Sequence, residues 1–513
     1  MRAKFTLLNG ITGIISQFFI IILGFISRSI FIDCLGSEIL GLNGTFTNVL
    51  SILSVTELGI GSAITFCLYK PIYDDDKDKI AGIMNLFKKA YLVIGCIVLF
   101  GAICVTPFLQ LIIKDYTLDL NYIRLIFLLY AFNSTISYFL GHCRILLFAS
   151  QQNYIVTLTD FVAKVLLQSA QIAVLLVLRN YVLYLLLVTI CNISSNLVIR
   201  KFYYQKFDYL KGNHAKIDEK SKQTIINTVK YLSVSSLISV GVFGTDNLII
   251  SSIIGVSVSG IYSNYTMIIQ NVQTLFTSLL NGVTASLGNM IAEGDNDKIN
   301  RIFDIFDFSY FLVASFTSIS LFVLLNPFIG TIWIRKDEFL LPFMTILVLV
   351  VNNYMTYKRQ PVWQYQNTSG IFKHFLPYSF IELILNLVVS IIAAMKLGLI
   401  GVFIGTTVAY IVSWIGQTYV VHKHVLKRNV FQYYFKQIAY FLLTCLELGI
   451  VVLLKSCVSF EHAWIQFGYL LILCALVPNG INLLLFYRSK EFIYLKENVL
   501  NRLLKKMKRD RIE

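Results

Sequence analysis

Apolar residues come in blocks of about twenty along the chain, separated by short polar segments, and no block alternates polar and apolar positions. A helix rises about 1.5 Å per residue, so about twenty residues cross the roughly 30 Å hydrocarbon core of a bilayer. Membrane strands would show the missing alternation, and an open sheet edge cannot be satisfied in lipid. The pattern therefore predicts an all-α integral membrane protein.

We expect fourteen transmembrane helices and call them spans 1 to 14. Their predicted ranges are 5–31, 40–66, 88–110, 121–142, 154–178, 181–200, 229–252, 258–284, 307–332, 340–357, 374–395, 399–421, 434–455 and 464–487. The first apolar stretch is too long for the hydrophobic part of a signal peptide, and no Ala-x-Ala site follows it. Span 1 is therefore expected to be retained.

Composition agrees with this class, since 57% of the 513 residues are apolar, 14% are charged and the mean hydropathy is +0.71. A soluble protein needs more polar surface to face water. The nine cysteines show no C-x-x-C spacing and fall mostly inside spans. We therefore predict neither a disulfide framework nor a metal site.

The net charge of +15 could indicate a nucleic-acid-binding protein, but the distribution of the basic residues along the chain indicates membrane topology instead. The N-terminus, the even-numbered loops and the C-terminal tail hold 34 of the 43 Lys and Arg residues, whereas the odd-numbered loops hold seven. Basic residues accumulate on the cytoplasmic side of membrane proteins. We predict that both termini are cytoplasmic and that no nucleic acid is bound.

An internal repeat lies on either side of the polar segment 204–228. A gapless shift of 219 residues matches Gly36 with Gly255, Gly41 with Gly260, Asp76 with Asp295, Asp78 with Asp297, Lys79-Ile80 with Lys298-Ile299, Phe87 with Phe306 and Tyr91 with Tyr310. The repeat unit contains six helices, an even number, so its two copies have the same orientation. This organisation predicts two lobes with a substrate site between them.

The predicted organisation has five parts. They are an N-lobe of spans 1–6 (1–203), a cytoplasmic linker (204–228), a C-lobe of spans 7–12 (229–428), spans 13–14 (429–487) and a basic amphipathic cytoplasmic tail (488–513). The tail is expected either to lie on the anionic inner leaflet or simply to set the orientation.

Ionisable residues inside spans are candidates for function, because each costs roughly 2.5–3.5 kcal/mol on insertion scales and needs a partner or a cavity. The candidates are Arg28, Glu57, Asp160, Lys164, Asp246 and Glu382, with Lys358 and Arg359 at the inner end of span 10. Arg28 and Asp246 occupy nearly equivalent repeat positions. Either they form an ion pair between the lobes, or they face a cavity in which Arg28 meets an anionic headgroup.

Two other positions have open alternatives. Glu57 lies in the glycine-containing run from Glu57 to Ala63, which permits local unwinding, so it either binds a coupling Na+ or H+ or caps a broken helix. Asp246 is the second candidate for that ion. Asp160 and Lys164 are spaced i,i+4 and could neutralise each other.

No enzyme is predicted, because the sequence has no nucleophile–base–orienter set, no Walker A motif, no H-E-x-x-H and no G-x-S-x-G. The predicted outer loops are also short. With no ATP site, energy for transport would come from an ion gradient, the membrane potential or consumption of the product.

Three segments, taken in order, resemble the polysaccharide-export (PST, Wzx-type) branch of the MATE/MOP flippase superfamily. They are Ile11-Thr12-Gly13 through Gly24-Phe25-Ile26-Ser27-Arg28, the run from Glu57 to Ala63, and Thr245-Asp246-Asn247 through Gly260-Ile261-Tyr262-Ser263. The resemblance covers nearly the whole chain, including the six-plus-six repeat and two extra spans. It implies a flippase that moves polyprenyl-(di)phosphate-linked oligosaccharides across the bacterial plasma membrane by alternating access.

The resemblance also implies where the cargo binds. Arg28 matches a cavity arginine of span 1, and spans 1, 2, 7 and 8 would line the cavity. Polar residues of spans 7 and 8 could bind sugar hydroxyls or form an ordinary helix–helix seam; they are Tyr262, Asn264, Tyr265, Gln270, Asn271 and Gln273. We expect a monomer in the bilayer, with no cofactor beyond a coupling ion, acting beside a polysaccharide polymerase and glycosyltransferases. The alternative is an ion-coupled multidrug exporter of the MATE type.

Overall fold

The structure is a computed structural model that describes residues 2–57, 60–150, 152–213, 244–281, 295–369 and 371–497, together with scattered residues between 213 and 244. Every regular element in these ranges is a helix. Ten of the described helices are long and apolar enough to cross a membrane. The predicted class, an all-α multi-pass membrane protein, is confirmed.

Most predicted spans correspond to one helix. Spans 3 to 6 are Lys77–Val105, Leu120–Leu140, Asn153–Leu178 and Tyr181–Lys206, and spans 8 to 14 are Val256–Asn281, Asn296–Pro327, Phe343–Ser369, Phe372–Leu397, Leu399–Val421, Val430–Cys457 and Ala463–Phe486. Shorter helices follow several of them: Thr106–Phe108, Leu109–Ile112, His142–Ala149, Asp208–Leu210, Phe328–Trp333, Asp337–Phe339, His422–Leu426 and Lys490–Leu495. Span 9 begins eleven residues before its predicted start at 307, because its first three turns are amphipathic rather than apolar.

Helices break at a glycine between spans 1 and 2 and between spans 7 and 8, and span 2 has a second interruption. Spans 1 and 2 form one helix, Arg2–Leu53, broken at Gly36, followed by the turn Ser54–Glu57 and the helix Ile60–Tyr73. The described part of span 7 is Thr245–Ile249, continued as a π-helix over Ile250–Ile254. The rest of span 7, parts of the linker 204–228 and the tail beyond residue 497 lie outside the described residues.

The chain divides into two compact units, Met1–Ser263 and Asn264–Glu513, which we call unit 1 and unit 2. The division falls inside span 8. Unit 1 therefore contains spans 1 to 6, the described part of span 7 and the first turns of span 8. The predicted lobe boundaries at 203 and 229 remain a prediction.

Glycines matched by the repeat have matching structural roles within unit 1. Gly36 has φ of 79° and Gly255 has φ of 144°, and glycine adopts positive φ without the strain that a side chain would cause. Each glycine separates two helical segments. A Cβ on Gly41 would lie 1.8 Å from the carbonyl oxygen of Val256, and a Cβ on Gly260 would lie 2.0 Å from that of Ser37. The helical segments that follow the two breaks therefore cross with their backbones in contact.

The repeat also holds at the N-terminal starts of spans 3 and 9. Asp76 caps span 3 by accepting the N–H of Lys79, and Asp295 caps span 9 by accepting the N–H of Lys298. About three to four turns later, an aromatic pair recurs in each span. Phe87 and Tyr91 have ring centroids 4.1 Å apart, and Phe306 and Tyr310 have centroids 5.1 Å apart.

Unit 2 is held together by a fully buried ion pair. Asp307 of span 9 is 0% exposed and Lys358 of span 10 is 2% exposed, with Nζ 2.8 Å from Oδ1. Tyr433 donates to the same carboxylate at 3.0 Å and Gln437 at 2.8 Å. Lys358, a secondary site candidate from the sequence, lies in this contact between spans 9, 10 and 13, and its part in a site stays a prediction.

Replacing Asp307 by Ala should destabilise the protein by about 3–5 kcal/mol, because it leaves the Lys358 ammonium buried without its carboxylate. Thermal unfolding in detergent measures the effect. The matched control is Asp304→Ala, which removes the half-exposed ion pair with Arg428 (2.7 Å) and should cost about 1 kcal/mol or less. Equal losses for the two variants would contradict this account, and Lys358→Met in the Asp307→Ala background should recover most of the stability.

Candidate functional site

Unit 1 places an arginine of span 1 among hydroxyl side chains from three other helices. Arg28 donates a hydrogen bond to the hydroxyl of Ser263 at the start of span 8. It also lies within electrostatic reach of Tyr184, Tyr130 and Tyr181. We call these five residues the Arg28 cluster.

The tyrosines are fixed by their own contacts. The hydroxyls of Tyr130 and Tyr181 are 2.9 Å apart and hydrogen-bonded. Phe31, one turn after Arg28, packs edge-on against Tyr181 and Tyr184 with centroids 5.7 and 5.4 Å apart. Because Tyr181 and Phe31 are fully buried, the rings hold their hydroxyls near Arg28 with little freedom.

This arrangement suits an anionic ligand. A guanidinium remains charged in a low-dielectric site and binds two phosphate oxygens at once through its planar fork. Phenolic hydroxyls can donate further hydrogen bonds to the same oxygens. The hydroxyl of Ser263 already donates to the carbonyl oxygen of Gly260 (2.7 Å), so the guanidinium of Arg28 and the phenolic hydroxyls are the groups that can donate to a phosphate or diphosphate here.

A second polar region of unit 1 is a cavity of about 460 Å³ between spans 2 to 6, which we call the unit 1 cavity. Its lining includes Glu57, Tyr91, Tyr138, Arg144, Asp160, Lys164, Asn192, Ser195 and Asn196. Glu57 ends the turn that interrupts span 2, and its carboxylate accepts a hydrogen bond of 2.9 Å from the hydroxyl of Tyr91. The predicted break in span 2 therefore presents a carboxylate to a cavity.

Asp160 binds Arg144 and not Lys164, which corrects the i,i+4 pair considered from the sequence. Arg144 donates to both oxygens of Asp160, at 2.6 and 3.0 Å, and through Nε to Asn196 at 2.9 Å. Lys164 is exposed and lines the same cavity. Among the described residues it has no ion pair, so its ammonium is available to a ligand in the unit 1 cavity.

The described parts of spans 7 and 8 are hydrogen-bonded to the rest of unit 1 near the breaks at Gly36 and Gly255. The hydroxyls of Thr45 and Ser251 form a buried hydrogen bond. The loop after span 3 completes the contact, because Lys114 donates through its N–H to Ser251 (2.9 Å) and accepts from the N–H of Val256 (3.1 Å). Glu38 accepts from the N–H of Thr117 at 2.7 Å on the other side of the same loop.

Solved structures of transporters share this arrangement of helices. The lipid II flippase MurJ in an inward closed conformation superposes with a TM-score of 0.61 at 14% identity, covering 92% of this chain and 98% of that chain. An inward-facing multidrug resistance MATE family transporter of the MOP superfamily has a TM-score of 0.61 at 15% identity, covering 79% and 94%. The chain has the MurJ/MATE fold.

A mutant of the MATE transporter VcmN from Vibrio cholerae also has this fold, with a TM-score of 0.58 at 12% identity and coverage of 83% and 99%. No protein-family model and no curated protein matches the chain. At these identities the MurJ/MATE likeness establishes the fold alone. The chemistry of the site must come from the residues of this chain.

Within this MurJ/MATE fold, the other predicted site residues are dispersed. Asp246 is half-buried in the first turn of Thr245–Ile249, and Tyr262 is buried at the end of unit 1. In unit 2, Asn264 is fully buried, Asn271 is half-buried and Gln270 is exposed. The pairing of Arg28 with Asp246 stays a prediction.

Two further polar residues of span 8 act within unit 2. The hydroxyl of Tyr265 donates to Asn326 at 2.5 Å and accepts from the N–H of Leu341 at 2.8 Å. Gln273 donates to Asn353 at 3.0 Å. For these two, the helix–helix seam considered from the sequence describes the contacts.

Arg359 of span 10 is the remaining secondary candidate. Its guanidinium lies 2.6 Å from Glu382 of span 11 and 4.3 Å from the ring centroid of Tyr410. The pair neutralises both charges inside unit 2. Glu382, which the sequence left without an interpretation, is thus explained as the partner of Arg359.

Sequence reasoning missed three kinds of residue. The tyrosines around Arg28 lie 102 to 156 residues away in the chain, and no local pattern connects them. Arg144 was assigned to a loop, although it belongs to the helix His142–Ala149 and faces the unit 1 cavity. Glu447 of span 13 was overlooked, and its presence inside a predicted span was the signal that could have found it.

Proposed function

We propose that the protein is a flippase that moves a polyprenyl-(di)phosphate-linked oligosaccharide from the cytoplasmic to the outer leaflet by alternating access. The observation that carries the proposal is the Arg28 cluster, a cation inside a membrane span surrounded by hydroxyl donors. An arginine is costly in hydrocarbon and is retained there for a partner or a ligand. A lipid-linked phosphate is an anion that reaches this depth while its tail stays in the bilayer.

The two polar regions of unit 1 would divide the headgroup between them. Arg28 and its tyrosines would bind the phosphate oxygens. The unit 1 cavity would take the sugars, because Asn192, Ser195 and Asn196 offer amide and hydroxyl groups and Tyr138 offers an aromatic face. Asp246, Tyr262, Asn264, Gln270 and Asn271 remain proposed cargo contacts from spans 7 and 8.

The cycle would be coupled to Na+ or H+, with Glu57 or Asp246 as the proposed ion site. The basic loops of the topology prediction place both termini in the cytoplasm of a bacterial cell. There the cargo would be supplied by glycosyltransferases and consumed outside by a polysaccharide polymerase. The MurJ likeness supports this choice, because that structure's name describes a flippase for a lipid-linked cargo.

A translocation assay tests the proposal. The purified protein is reconstituted into liposomes that contain a fluorescent polyprenyl-diphosphate oligosaccharide, and the accessibility of its sugar in each leaflet is followed over time. Sugar should appear in the opposite leaflet faster than in protein-free liposomes, while a fluorescent phospholipid of the same tail length should not.

The MATE-type alternative predicts a different result in the same liposomes. Because the fold is shared with MATE transporters, a cationic dye is the matched probe. Transport of the dye driven by a Na+ or H+ gradient, with no movement of the lipid-linked oligosaccharide, would overturn the flippase proposal in favour of a small-molecule exporter.

A further inference from the structure

Span 13 carries a carboxylic acid in the interior of unit 2. Glu447 lies near the middle of Val430–Cys457 and is 0% exposed. It belongs to neither polar region of unit 1, and span 13 lies outside the six-helix repeat. No role proposed above uses it.

The hydrogen bonding of Glu447 is incomplete. The hydroxyl of Ser315, in the middle of span 9, donates to Oε2. The other oxygen, Oε1, is buried and has no hydrogen-bond partner among the described residues. No Lys, Arg or His nitrogen in the described part of the chain comes within 4 Å of either oxygen, so no ion pair compensates a charge here.

The surroundings of Glu447 differ on its two sides. Toward the C-terminal end of span 13, Val451 and Leu448 pack with Ile319 and Leu470 in an apolar cluster. Toward the N-terminal end, Thr444 is one turn away. The hydroxyl of Thr444 donates to the carbonyl oxygen of Tyr440 at 3.0 Å, so it gives Glu447 no further hydrogen bond.

The titratable and charged groups on the helices around this site are Cys445, Tyr440 and Lys455 of span 13 itself, Tyr354 and Lys358 of span 10, Asp307 of span 9 and Cys474 of span 14. Of these, Tyr354 has an electrostatic interaction with Glu447. It also has one with Asp307.

An ionised carboxylate with one neutral hydrogen-bond donor and no cation is strongly disfavoured in a low-dielectric interior. The same group as a neutral acid fits, because Ser315 can exchange the roles of donor and acceptor with it. A change in packing between spans 9 and 13 that admitted water would reverse this preference. The protonation of Glu447 is therefore linked to the conformation of unit 2.

We propose that Glu447 is a proton-binding site: its carboxylate takes up one proton to become a carboxylic acid in the state seen here, and releases it when spans 9 and 13 separate. The step makes one O–H bond and needs no other reactant. The proposal rests on the proposed transport function for its role, which is to couple the cycle to a proton gradient through unit 2, in place of the ion site at Glu57 or Asp246. Its chemistry can be tested without any cargo.

Infrared spectroscopy of the purified protein tests the chemistry. A protonated carboxyl C=O stretch should be present in the wild type at neutral pH, lost in Glu447→Gln and shifted in Ser315→Ala, which keeps the acid and removes its hydrogen bond. Glu382→Gln is the matched control, because Glu382 is equally buried but paired with Arg359 and should contribute no such band. An unchanged band in Glu447→Gln would overturn the proposal.

Transport under a pH gradient tests the role. In the liposome assay, the gradient should accelerate translocation by the wild type and have no effect on Glu447→Gln, whose site is permanently neutral. The same acceleration in both proteins would overturn the coupling. If the wild type moved no lipid-linked oligosaccharide, the proposed function would fail, and the infrared result alone would still decide whether Glu447 binds a proton.

Discussion

Replacing Arg28 by Ala should abolish translocation of the lipid-linked oligosaccharide in liposomes. Hydrogen bonds from a charged donor contribute about 1.5–3 kcal/mol each, which corresponds to about a 10- to 150-fold loss in affinity for a single bond. A bidentate contact loses more. Translocation rate and binding of a fluorescent polyprenyl diphosphate are the two measurements.

Two other variants separate ligand binding from packing. Arg28→Lys keeps the charge but loses the planar fork, so it should retain part of the binding and show intermediate transport. Arg124→Ala removes another arginine of unit 1, whose described hydrogen bond to Asn121 is long at 3.4 Å, and should transport normally. If Arg28→Ala kept full transport, Arg28 would have no part in the mechanism.

Joining Thr45 to Ser251 by a disulfide should stop transport completely. The two hydroxyls are in contact and fully buried, and they lie where the helices beside Gly41 and Gly260 cross. Alternating access, as proposed, requires spans 7 and 8 to leave spans 1 and 2 at this crossing. A covalent bond would hold the crossing closed in every state.

The measurement is transport by the double variant Thr45→Cys/Ser251→Cys before oxidation, after oxidation and after reduction. Oxidation should reduce the rate to that of empty liposomes and reduction should restore it. Each single cysteine variant is a control for oxidation of the nine native cysteines. Full transport by fully crosslinked protein would show that this contact does not open during the cycle.

The sequence predicted the helices well because lipid imposes a length and a composition on each of them. Span 12 was placed at 399–421, as the structure has it, and the glycines of the repeat marked the breaks at Gly36 and Gly255. Span 9 was started too late, since hydropathy alone does not register an amphipathic helix that continues beyond the membrane. The break in span 2 was also anticipated, from the glycines that follow Glu57.

The polar interior could not be predicted in the same way. Asp160 has an i,i+4 lysine beside it, yet it binds Arg144 because helix His142–Ala149 brings that guanidinium to within 2.6 Å. Lys358 is a candidate functional cation from the sequence, and the structure places Asp307 next to it. Spacing along one helix reports neighbours on that helix, whereas these charges pair between two different helices, 16 residues apart for Arg144 and Asp160 and 51 apart for Asp307 and Lys358.

The most direct test asks where the anionic part of the cargo binds. A polyprenyl diphosphate with a photoreactive group beside the phosphates is crosslinked to the reconstituted protein, and the labelled residues are mapped by mass spectrometry. Label should concentrate on Tyr130, Tyr181, Tyr184 and span 1 near residue 28, and Arg28→Ala should lose it. Label confined to lipid-exposed positions such as Leu166 and Leu484, and equal in Arg28→Ala, would contradict the account.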